Sequence, residues 1–318
     1  MWKNKKYKEM KEKVDKRILE ITANKNELIQ EAVSDLVNAG GKRLRPILVI
    51  LASRFGEIDE EKVYNIAAGI EIIHMSTLIH DDIIDEADLR RGKKTTHKKF
   101  GKKMAVFIGD YLISRTLDIF EDNLSKKSRK KLNKVVSLIC EGEIKQFQNK
   151  NNLEISTLDY FRRIRKKTAL LFGLSMYIGA YESGVRGKEF SHLYKFAIEM
   201  GMAFQIEDDL LDFKGKEDIT GKNVGKDLET GIYTLPVILL LNNKDTAEKT
   251  QEILREEDNE IAIDKINQLI NNYNMIEKSR SIAEKFVKKA RYHLYELPDN
   301  RTRKFMLKIM ERQIDRRY

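Results

Sequence analysis

The chain has 318 residues, of which 41% are hydrophobic, and 60 Lys and Arg against 50 Asp and Glu give a formal net charge of +10. This length and composition allow a sizeable core. A single cysteine, Cys140, excludes an internal disulfide, the first residues carry no apolar signal core, and no apolar run reaches the ~18 residues that span a bilayer. We therefore expect a cytoplasmic protein.

The positive charge is densest over residues 90–103 and favours an anionic partner. Nucleic acid, an anionic membrane surface and a polyanionic small substrate each suit such a charge, whereas Lys-rich solvated helix faces need no partner. No zinc-finger, RRM or KH pattern accompanies the basic cluster, so nucleic acid is disfavoured. The cluster comprises Arg90, Arg91, Lys93, Lys94, Lys98, Lys99, Lys102 and Lys103.

Long periodic segments rich in Leu, Ile, Lys and Glu, with only three prolines, predict an all-α chain that forms a single domain over residues 1–318. Pro46 suits the first turn of a helix, and Thr157 is a candidate N-cap. In chain order, the predicted helices cover about 4–38, 47–54, 60–85, 104–121, 126–149, 157–184 and 188–213, and then a core helix opening at TLP and amphipathic helix to the end. Loops are predicted at 40–46, 86–103 and 215–231.

The spacing Asp-Asp-x-x-Asp occurs twice, each time on the C-terminal side of an apolar helix. Because a helix advances roughly 100° per residue, the first and last Asp of each motif share one face. Carboxylates at such a position are costly to bury without a cation, and they suit Mg²⁺ bridged to substrate phosphates. One copy alone is more often a solvated helix end, but two copies predict two acidic walls of one cavity. The motifs comprise Asp81, Asp82, Asp85, Asp208, Asp209 and Asp212.

Basic residues near the first motif suit a diphosphate. Arg90 and Arg91 follow it closely, and guanidinium groups pair bidentately with phosphate oxygens. Read singly, each basic residue is equally well explained as part of a solvated turn, and a lone histidine as a core residue. Beside metal-binding carboxylates, a diphosphate site is the better interpretation. Further members of this group are Lys42, Arg43 and Arg45 in the Gly-Gly turn, and His74 on the helix face of the first motif.

Together these segments resemble the trans-polyprenyl (isoprenyl) diphosphate synthases of medium- or long-chain type. The match is collinear from about residue 38 to 240 and rests on GGKRLRP, LIHDDIIDEADLRRG, GEIKQ, KTA, GMAFQIEDDLLD, GKNVGKDL and TLP. The resemblance implies the isoprenoid synthase fold, a helical bundle around a central cavity, as a homodimer. It also implies that Mg²⁺, about three ions per active site, helps to ionise an allylic diphosphate, which isopentenyl diphosphate then extends by five carbons.

The resemblance assigns roles to the matching positions. Asp81 and Asp85 look like ligands of two metal ions, Asp208 and partly Asp212 like ligands of the third, and Asp82 and Asp209 like supporting carboxylates. Contacts to isopentenyl diphosphate are implied for Lys42, Arg45, His74 and Arg91. Contacts to the allylic diphosphate and its ions are implied for Arg90, Lys167, Thr168, Gln205 and Lys222, of which Lys167 is also placed among the catalytic residues. In one departure, Ile232 stands where many members have a Lys.

The helix face under Asp81 predicts product length. In the family, an aromatic residue four or five positions before this Asp blocks elongation, whereas Ser76 and Thr77 are small here. Each helical turn is roughly 5.4 Å, about one prenyl unit, and the next turn presents Ile73. We expect products longer than fifteen carbons, with Phe107 as a candidate floor of the tunnel, and we expect Ser76→Phe to shorten them.

Several alternatives share these features. A catalytic large subunit that is inactive until a small regulatory subunit binds would carry the same acidic motifs. A geranylgeranyl diphosphate synthase or a terpene cyclase on the same fold ranks lower, the cyclase because its second motif commonly differs. A nucleic-acid or membrane-binding helical module would leave six carboxylates unexplained. At most, peripheral membrane contact is expected, because a long apolar product must leave.

Overall fold

The computed structural model describes residues 4–213, 226–256 and 259–314. Helices make up 79% of it and strands about 1%, which confirms the all-α prediction. The chain divides into two compact units, Met1–Leu132 with Leu174–Ser191, and Asn133–Gly173 with His192–Tyr318. A single domain over 1–318 therefore stays a prediction. Across the described residues, no helix is both long and apolar enough to cross a bilayer.

The first unit includes a hairpin that the sequence did not predict, within the expected loop at 86–103. Arg91 and Gly92 both have positive φ (53° and 76°), which forms the two-residue turn of a tight hairpin. In chain order the elements are α1 (Lys5–Ile21), α2 (Glu27–Asn38), α3 (Leu44–Ser53), α4 (Glu60–Ile84), β1 (Leu89–Arg90), β2 (Lys93–Lys94), α5 (Thr96–Phe100) and α6 (Lys102–Asn123). The helix α7 (Lys126–Gln148) starts in this unit.

The second unit is built around a short buried helix that begins at the TLP segment. Pro236 lies in its first turn, where a missing N–H costs nothing, and Leu235, Ile238 and Leu240 are fully buried. The elements from α7 onward are α8 (Thr157–Ile164), a π-helical turn (Arg165–Ala169), α9 (Leu170–Glu182), α10 (Gly187–Leu211), α11 (Lys226–Glu229), α12 (Leu235–Leu241), α13 (Ala247–Glu256), α14 (Asn259–Asn272), α15 (Met275–Tyr295) and α16 (Arg301–Ile314).

The helix α4 carries the first acidic motif and packs closely on α6. Its N-terminus is capped by Asp59, whose carboxylate accepts a hydrogen bond from the Lys62 backbone N–H. Gly69 allows close approach, because a Cβ there would lie 2.7 Å from the Phe120 ring. Further along, the Ser76 hydroxyl donates to the Gly109 carbonyl at 3.0 Å. The Ser76 side chain is therefore enclosed by α6.

A buried arginine braces the Gly-Gly turn before α3. Arg43 adopts left-handed backbone geometry (φ 46°) and is 5% exposed. Its guanidinium donates to Asp15 at 2.7 Å, to Glu71 at 3.1 Å and to the Val37 carbonyl at 3.1 Å. The Tyr7 hydroxyl, also on α1, donates to the Lys42 carbonyl. Arg43 is thus a structural ion-pair partner rather than a solvated cation.

The segment that was predicted as one helix from Thr157 is interrupted. Ser156 is the N-cap, and it forms a capping box with Asp159, so Thr157 is the first helical residue. The π-helical turn Arg165–Ala169 then separates α8 from α9. It packs against α10 at Gly201, where a Cβ would lie 2.7 Å from the Ala169 Cα. Periodicity alone cannot reveal such a turn, because the residues on either side remain helical.

Candidate active site

The first acidic motif forms the last turn of α4. The Asp85 backbone N–H donates to the Asp81 carbonyl at 2.8 Å, so the two residues lie one turn apart on the same face, as predicted. Asp81 is half-buried, and Asp85 is exposed at the helix end. Asp82 is buried and accepts from Arg90 Nε and Nη2 at 2.7–2.9 Å. Arg90 therefore neutralises Asp82, which fits a supporting role for this carboxylate.

The hairpin turn brings Arg91 to the Gly-Gly turn. Arg91 Nη1 donates to the Gly40 carbonyl. A Cβ on Gly41 would lie 2.6 Å from Arg91 Nη1, and Gly41 has a φ of +142°, so only glycine allows this approach. Arg91 and Gly40, which are 51 positions apart in the sequence, are thus in contact, while the binding roles of Lys42 and Arg91 stay predictions. Lys42 lies in the same turn with an exposed side chain.

His74 lies at the centre of a cationic cluster in the first unit. Arg45 Nη1 is 3.0 Å from His74 Nε2. Because guanidinium only donates, His74 Nε2 accepts and the ring is neutral. Burial first, and then the charges of the surrounding arginines, hold the pKa of His74 well below its ordinary value, although the residue keeps some exposed surface. We define the cationic cluster as Arg43, Arg45, Arg90 and Arg91. Because Arg43 and Arg90 are paired with carboxylates, Arg45 and Arg91 are the members suited to an anion.

We expect acid to destabilise the wild-type chain more than its His74→Gln variant. In the unfolded chain the histidine binds a proton below about pH 6.5, whereas in the folded chain its lowered pKa keeps it neutral. Each pH unit below that value therefore lowers the free energy of unfolding of the wild type by ~1.4 kcal/mol. Urea unfolding at pH 7.5 and 5.5 should therefore show the stability gap between wild type and variant narrowing by about that amount. A stability difference between wild type and variant that is the same at both pH values would contradict a neutral His74. So would an imidazole that NMR shows to be protonated at pH 6.

The second acidic motif is held by a chain of hydrogen bonds at the end of α10. Asp209 is buried and accepts from the Tyr160 hydroxyl and from Gln205 Nε2, both at 2.7 Å. Gln205 in turn accepts from the Thr168 hydroxyl at 2.5 Å. Asp208 is exposed and Asp212 is half-buried. The structure therefore brings together the predicted residues Thr168, Gln205 and Asp209, and adds Tyr160, which sequence analysis missed.

Asp227 is a further acidic residue that sequence analysis missed. Its backbone N–H donates to Asp212 Oδ2 at 3.4 Å. Burial, followed by the charges of Asp209 and Asp212, raises the pKa of Asp227 to about 7, while burial raises that of Asp209 to about 6. The only sequence signal was its place in the matched segment GKNVGKDL. We call Asp208, Asp209, Asp212 and Asp227 the second acidic cluster.

The second acidic cluster fits divalent cations. Carboxylates that raise one another's pKa carry negative charge that a bound cation would offset. Among the described residues, no three His, Cys, Asp or Glu side chains converge in ligating geometry. Mg²⁺ is commonly bound by one or two carboxylates, and water and substrate phosphate complete its coordination shell. A pair of carboxylates, such as Asp81 with Asp85 in the first motif, is therefore sufficient for it.

Lys167 lies in the π-helical turn and is paired. Its ammonium is 3.0 Å from Glu143, and both side chains are about 30% exposed. Glu143 belongs to the matched GEIKQ segment, although sequence analysis gave it no role. An incoming diphosphate would compete with this carboxylate for Lys167. The remaining predicted contact, Lys222, lies outside the described residues.

The residues predicted to set chain length occupy different environments. Ser76 is fully buried against α6, and Ile73 is 8% exposed. Thr77 is half-buried, with its hydroxyl bound to the His74 carbonyl of its own helix at 2.8 Å. Phe107 is 64% exposed on α6. Its role as a tunnel floor stays a prediction, while Thr77 is better placed than Ser76 to receive a larger side chain.

Known proteins match this chain over most of its length. The Polyprenyl synthetase family model matches residues 26–273. Heptaprenyl diphosphate synthase component 2 of Bacillus subtilis (strain 168) is 39% identical over 283 residues, which cover 89% of this chain and 81% of that protein. Octaprenyl diphosphate synthase of Escherichia coli (strain K12) is 33% identical over 306 residues, 95% of this chain and 94% of that protein.

The fold of the chain also matches that of a solved structure. The crystal structure of a heptaprenyl diphosphate synthase from Staphylococcus aureus has a TM-score of 0.93 at 32% identity, and the match covers 98% of this chain and 99% of that one. This confirms the isoprenoid synthase fold and the resemblance inferred from the motifs. Enzymes of this type depend in general on Mg²⁺. The chain belongs to the polyprenyl synthetase family, whose members are prenyltransferases.

Proposed function

We propose that this chain extends an allylic diphosphate with isopentenyl diphosphate, head to tail and in trans geometry, to a product longer than fifteen carbons. The observation that carries the proposal is the contact of Arg45 with His74 and of Arg90 with Asp82, both on the helix that carries the first acidic motif. Relatives named for heptaprenyl, octaprenyl and nonaprenyl products support the product length.

The reaction needs charge neutralisation more than acid–base chemistry. The C1–O bond of the allylic diphosphate breaks, C4 of isopentenyl diphosphate forms the new C–C bond, and the proton lost from C2 passes to the released pyrophosphate. A protein base is therefore not required, which fits a site in which the lowered pKa of His74 makes this residue a poor proton acceptor. Arg45 and Arg91, with Lys42, would hold the diphosphate of isopentenyl diphosphate.

The acidic residues would hold the metal ions. Asp81 and Asp85 would bind two Mg²⁺ ions, and Asp208 with Asp212 a third, which when bound neutralise the leaving diphosphate. Asp82 and Asp209 would orient these ligands, because each already accepts hydrogen bonds from protein side chains. Asp82 accepts from Arg90, and Asp209 accepts from Tyr160 and Gln205. Lys167, Thr168 and Arg90 would contact the allylic diphosphate, with Lys167 moving from Glu143 to phosphate.

The test is an assay of the purified chain. With Mg²⁺, isopentenyl diphosphate and farnesyl diphosphate, we expect products longer than fifteen carbons by reversed-phase chromatography. A ladder that stops at twenty carbons would instead assign a geranylgeranyl diphosphate synthase, the activity named for the 30% identical relative from Saccharolobus solfataricus. Cyclised products without diphosphate would contradict the proposal.

A second candidate is a catalytic subunit that needs a partner. The relatives from Bacillus subtilis and Geobacillus stearothermophilus, each 39% identical, are both called component 2.

The helix α6 exposes four large apolar side chains, Val106, Phe107, Ile113 and Leu117, of which Phe107 and Leu117 are each 64% exposed. Exposed apolar residues of this kind suit a protein interface, and we propose that a second copy covers them in a homodimer. An inactive chain that gains activity on mixing with a motif-free subunit would favour the hetero-oligomer.

A further inference from the structure

Two histidines from different helices of the second unit meet at a place that the proposed reaction does not use. His192, near the start of α10, and His293, near the end of α15, have their Nδ1 atoms 3.2 Å apart. Both imidazoles are half-buried and reach solvent. The residues that follow them, Leu193 and Leu294, are fully buried, so the core fixes the backbone beside each histidine. Asp208 lies 16 residues further along α10, about 24 Å away along the helix axis.

An aromatic neighbour braces both imidazole rings. The centroid of the Tyr292 ring lies 6.2 Å from that of His192 and 5.2 Å from that of His293. The two imidazole planes are inclined at 59°, so the rings do not stack on one another. Because packed side chains have less freedom to lose, a ligand shared by the two histidines would be bound at a reduced cost in conformational entropy.

The separation of the two nitrogens suits a metal ion as well as a hydrogen bond. Without a cation, one imidazole donates its Nδ1 proton to the Nδ1 atom of the other. Zinc binds imidazole nitrogen at about 2.0–2.1 Å, which places two ligands of a tetrahedral ion about 3.3–3.4 Å apart. A small adjustment of His192 and His293 would let both Nδ1 atoms bind one ion, with the ring protons on Nε2. Imidazole ligands favour zinc, copper and nickel, whereas Mg²⁺ prefers oxygen.

Each of the two helices also carries a carboxylate near its histidine. Glu189 lies in the first turn of α10, three residues before His192, and Glu296 is the C-cap of α15, three residues after His293. Residues three apart lie on the same side of a helix. Burial, followed by the charges of His192 and Lys195, lowers the pKa of His293, whereas the charge of Glu296 raises it. His293 is thereby kept in the neutral form that binds metals, and Glu296 offsets the charge of Lys195.

We propose that His192 and His293 form a binding site for a divalent cation of the zinc class, distinct from the Mg²⁺ sites of the proposed reaction. The two Nδ1 atoms bind the ion, and water with Glu189 or Glu296 completes its coordination shell. The ion links α10 to α15 and stabilises the folded chain, because the unfolded chain does not hold the two histidines together.

The test is Zn²⁺ binding to the tag-free full chain, measured by isothermal titration calorimetry with excess Mg²⁺ present to occupy the carboxylate sites. We expect His192→Gln and His293→Gln each to weaken Zn²⁺ binding about tenfold or more, because each removes one of the two nitrogen ligands. Zn²⁺ should also raise the Tm of the wild type more than that of either variant. The matched control is His80→Gln, which should bind Zn²⁺ as the wild type does. The His80 side chain is also 30% exposed, and its Nε2 lies 3.5 Å from an Asp110 oxygen.

Electron paramagnetic resonance of the Cu²⁺-loaded wild type gives a readout that needs no variant, and we expect coupling to two imidazole nitrogens. Equal Zn²⁺ affinity in the wild type and both histidine variants would overturn the inference, as would coupling to fewer than two nitrogens. Displacement of the Zn²⁺ by Mg²⁺ would place the ion at the acidic motifs and would also overturn it. None of these measurements involves prenyl transfer, so each of these results would leave the proposed function intact. A chain that binds Zn²⁺ through both histidines but elongates no allylic diphosphate would contradict the proposed function alone.

Discussion

Asp81→Asn is expected to lower kcat for prenyl transfer by about three orders of magnitude, with little change in stability. Asparagine keeps the shape of the side chain but removes the charge that a Mg²⁺ ion requires. Asp81 is half-buried in the last turn of α4, so an amide of nearly the same size can be accommodated and solvated there. The measurement is the initial rate of radiolabelled isopentenyl diphosphate incorporation over a range of Mg²⁺ concentrations, with thermal unfolding of the same preparations.

Two further variants separate loss of metal binding from loss of fold. Asp122→Asn removes an exposed carboxylate of α6 and should have no effect. Asp82→Asn breaks the buried pair with Arg90, so it should lower stability as well as activity, because a guanidinium loses its charged partner. An Asp81→Asn enzyme that retains more than a tenth of wild-type kcat at saturating Mg²⁺ would argue against this residue as a metal ligand.

Thr77→Phe is expected to shorten the product ladder to about twenty carbons or fewer, while Ser76→Phe is expected to destabilise the chain. Thr77 is half-buried, so a larger ring can extend along the face that leads away from Asp81. Ser76 is fully buried, with its hydroxyl 3.0 Å from the Gly109 carbonyl, so a phenyl ring there must displace α6. Overpacking of this kind costs about 1–3 kcal/mol. The expectation from sequence, that Ser76→Phe shortens the product, is thereby revised.

Product chromatography and urea unfolding of the two variants test this assignment. Thr77→Val keeps the shape of the side chain and should leave product length unchanged, and Ser76→Ala should cost only its hydrogen bond, about 1 kcal/mol. A Ser76→Phe chain with wild-type stability and shorter products would restore the original expectation. Long products from Thr77→Phe would place the growing chain on another face.

Local patterns in the sequence predicted most of the fold, because helices and their ends depend on near neighbours, whereas the roles of the site residues stay predictions. The end of α4 at the first motif follows from the apolar run before Asp81 and is confirmed. The hairpin that pairs Arg90 with Asp82 was missed because a turn formed by Arg91 and Gly92 lacks the usual Asn-Gly signal.

Long-range partners could not be predicted. Glu143 meets Lys167 across 24 positions, and the Arg163 contact to Tyr233 spans 70. No periodicity links such positions, so only the tertiary structure shows that these groups meet. The same holds for Arg43, which the sequence places beside Lys42 and Arg45 in one basic turn, but which left-handed backbone geometry directs inward.

Under the proposed roles of Lys42 and Arg45, the inward orientation of Arg43 makes substrate affinity depend on helix α1. The Gly-Gly turn that presents Lys42 and Arg45 is anchored from α1, through Asp15 to the Arg43 guanidinium and through Tyr7 to the backbone of Lys42. The helix α1 lies before residue 26, outside the segment matched by the family model. If the Gly-Gly turn binds a diphosphate as we propose, substitutions in this unmatched helix would alter how tightly it is held, although none of its side chains is assigned to the chemistry.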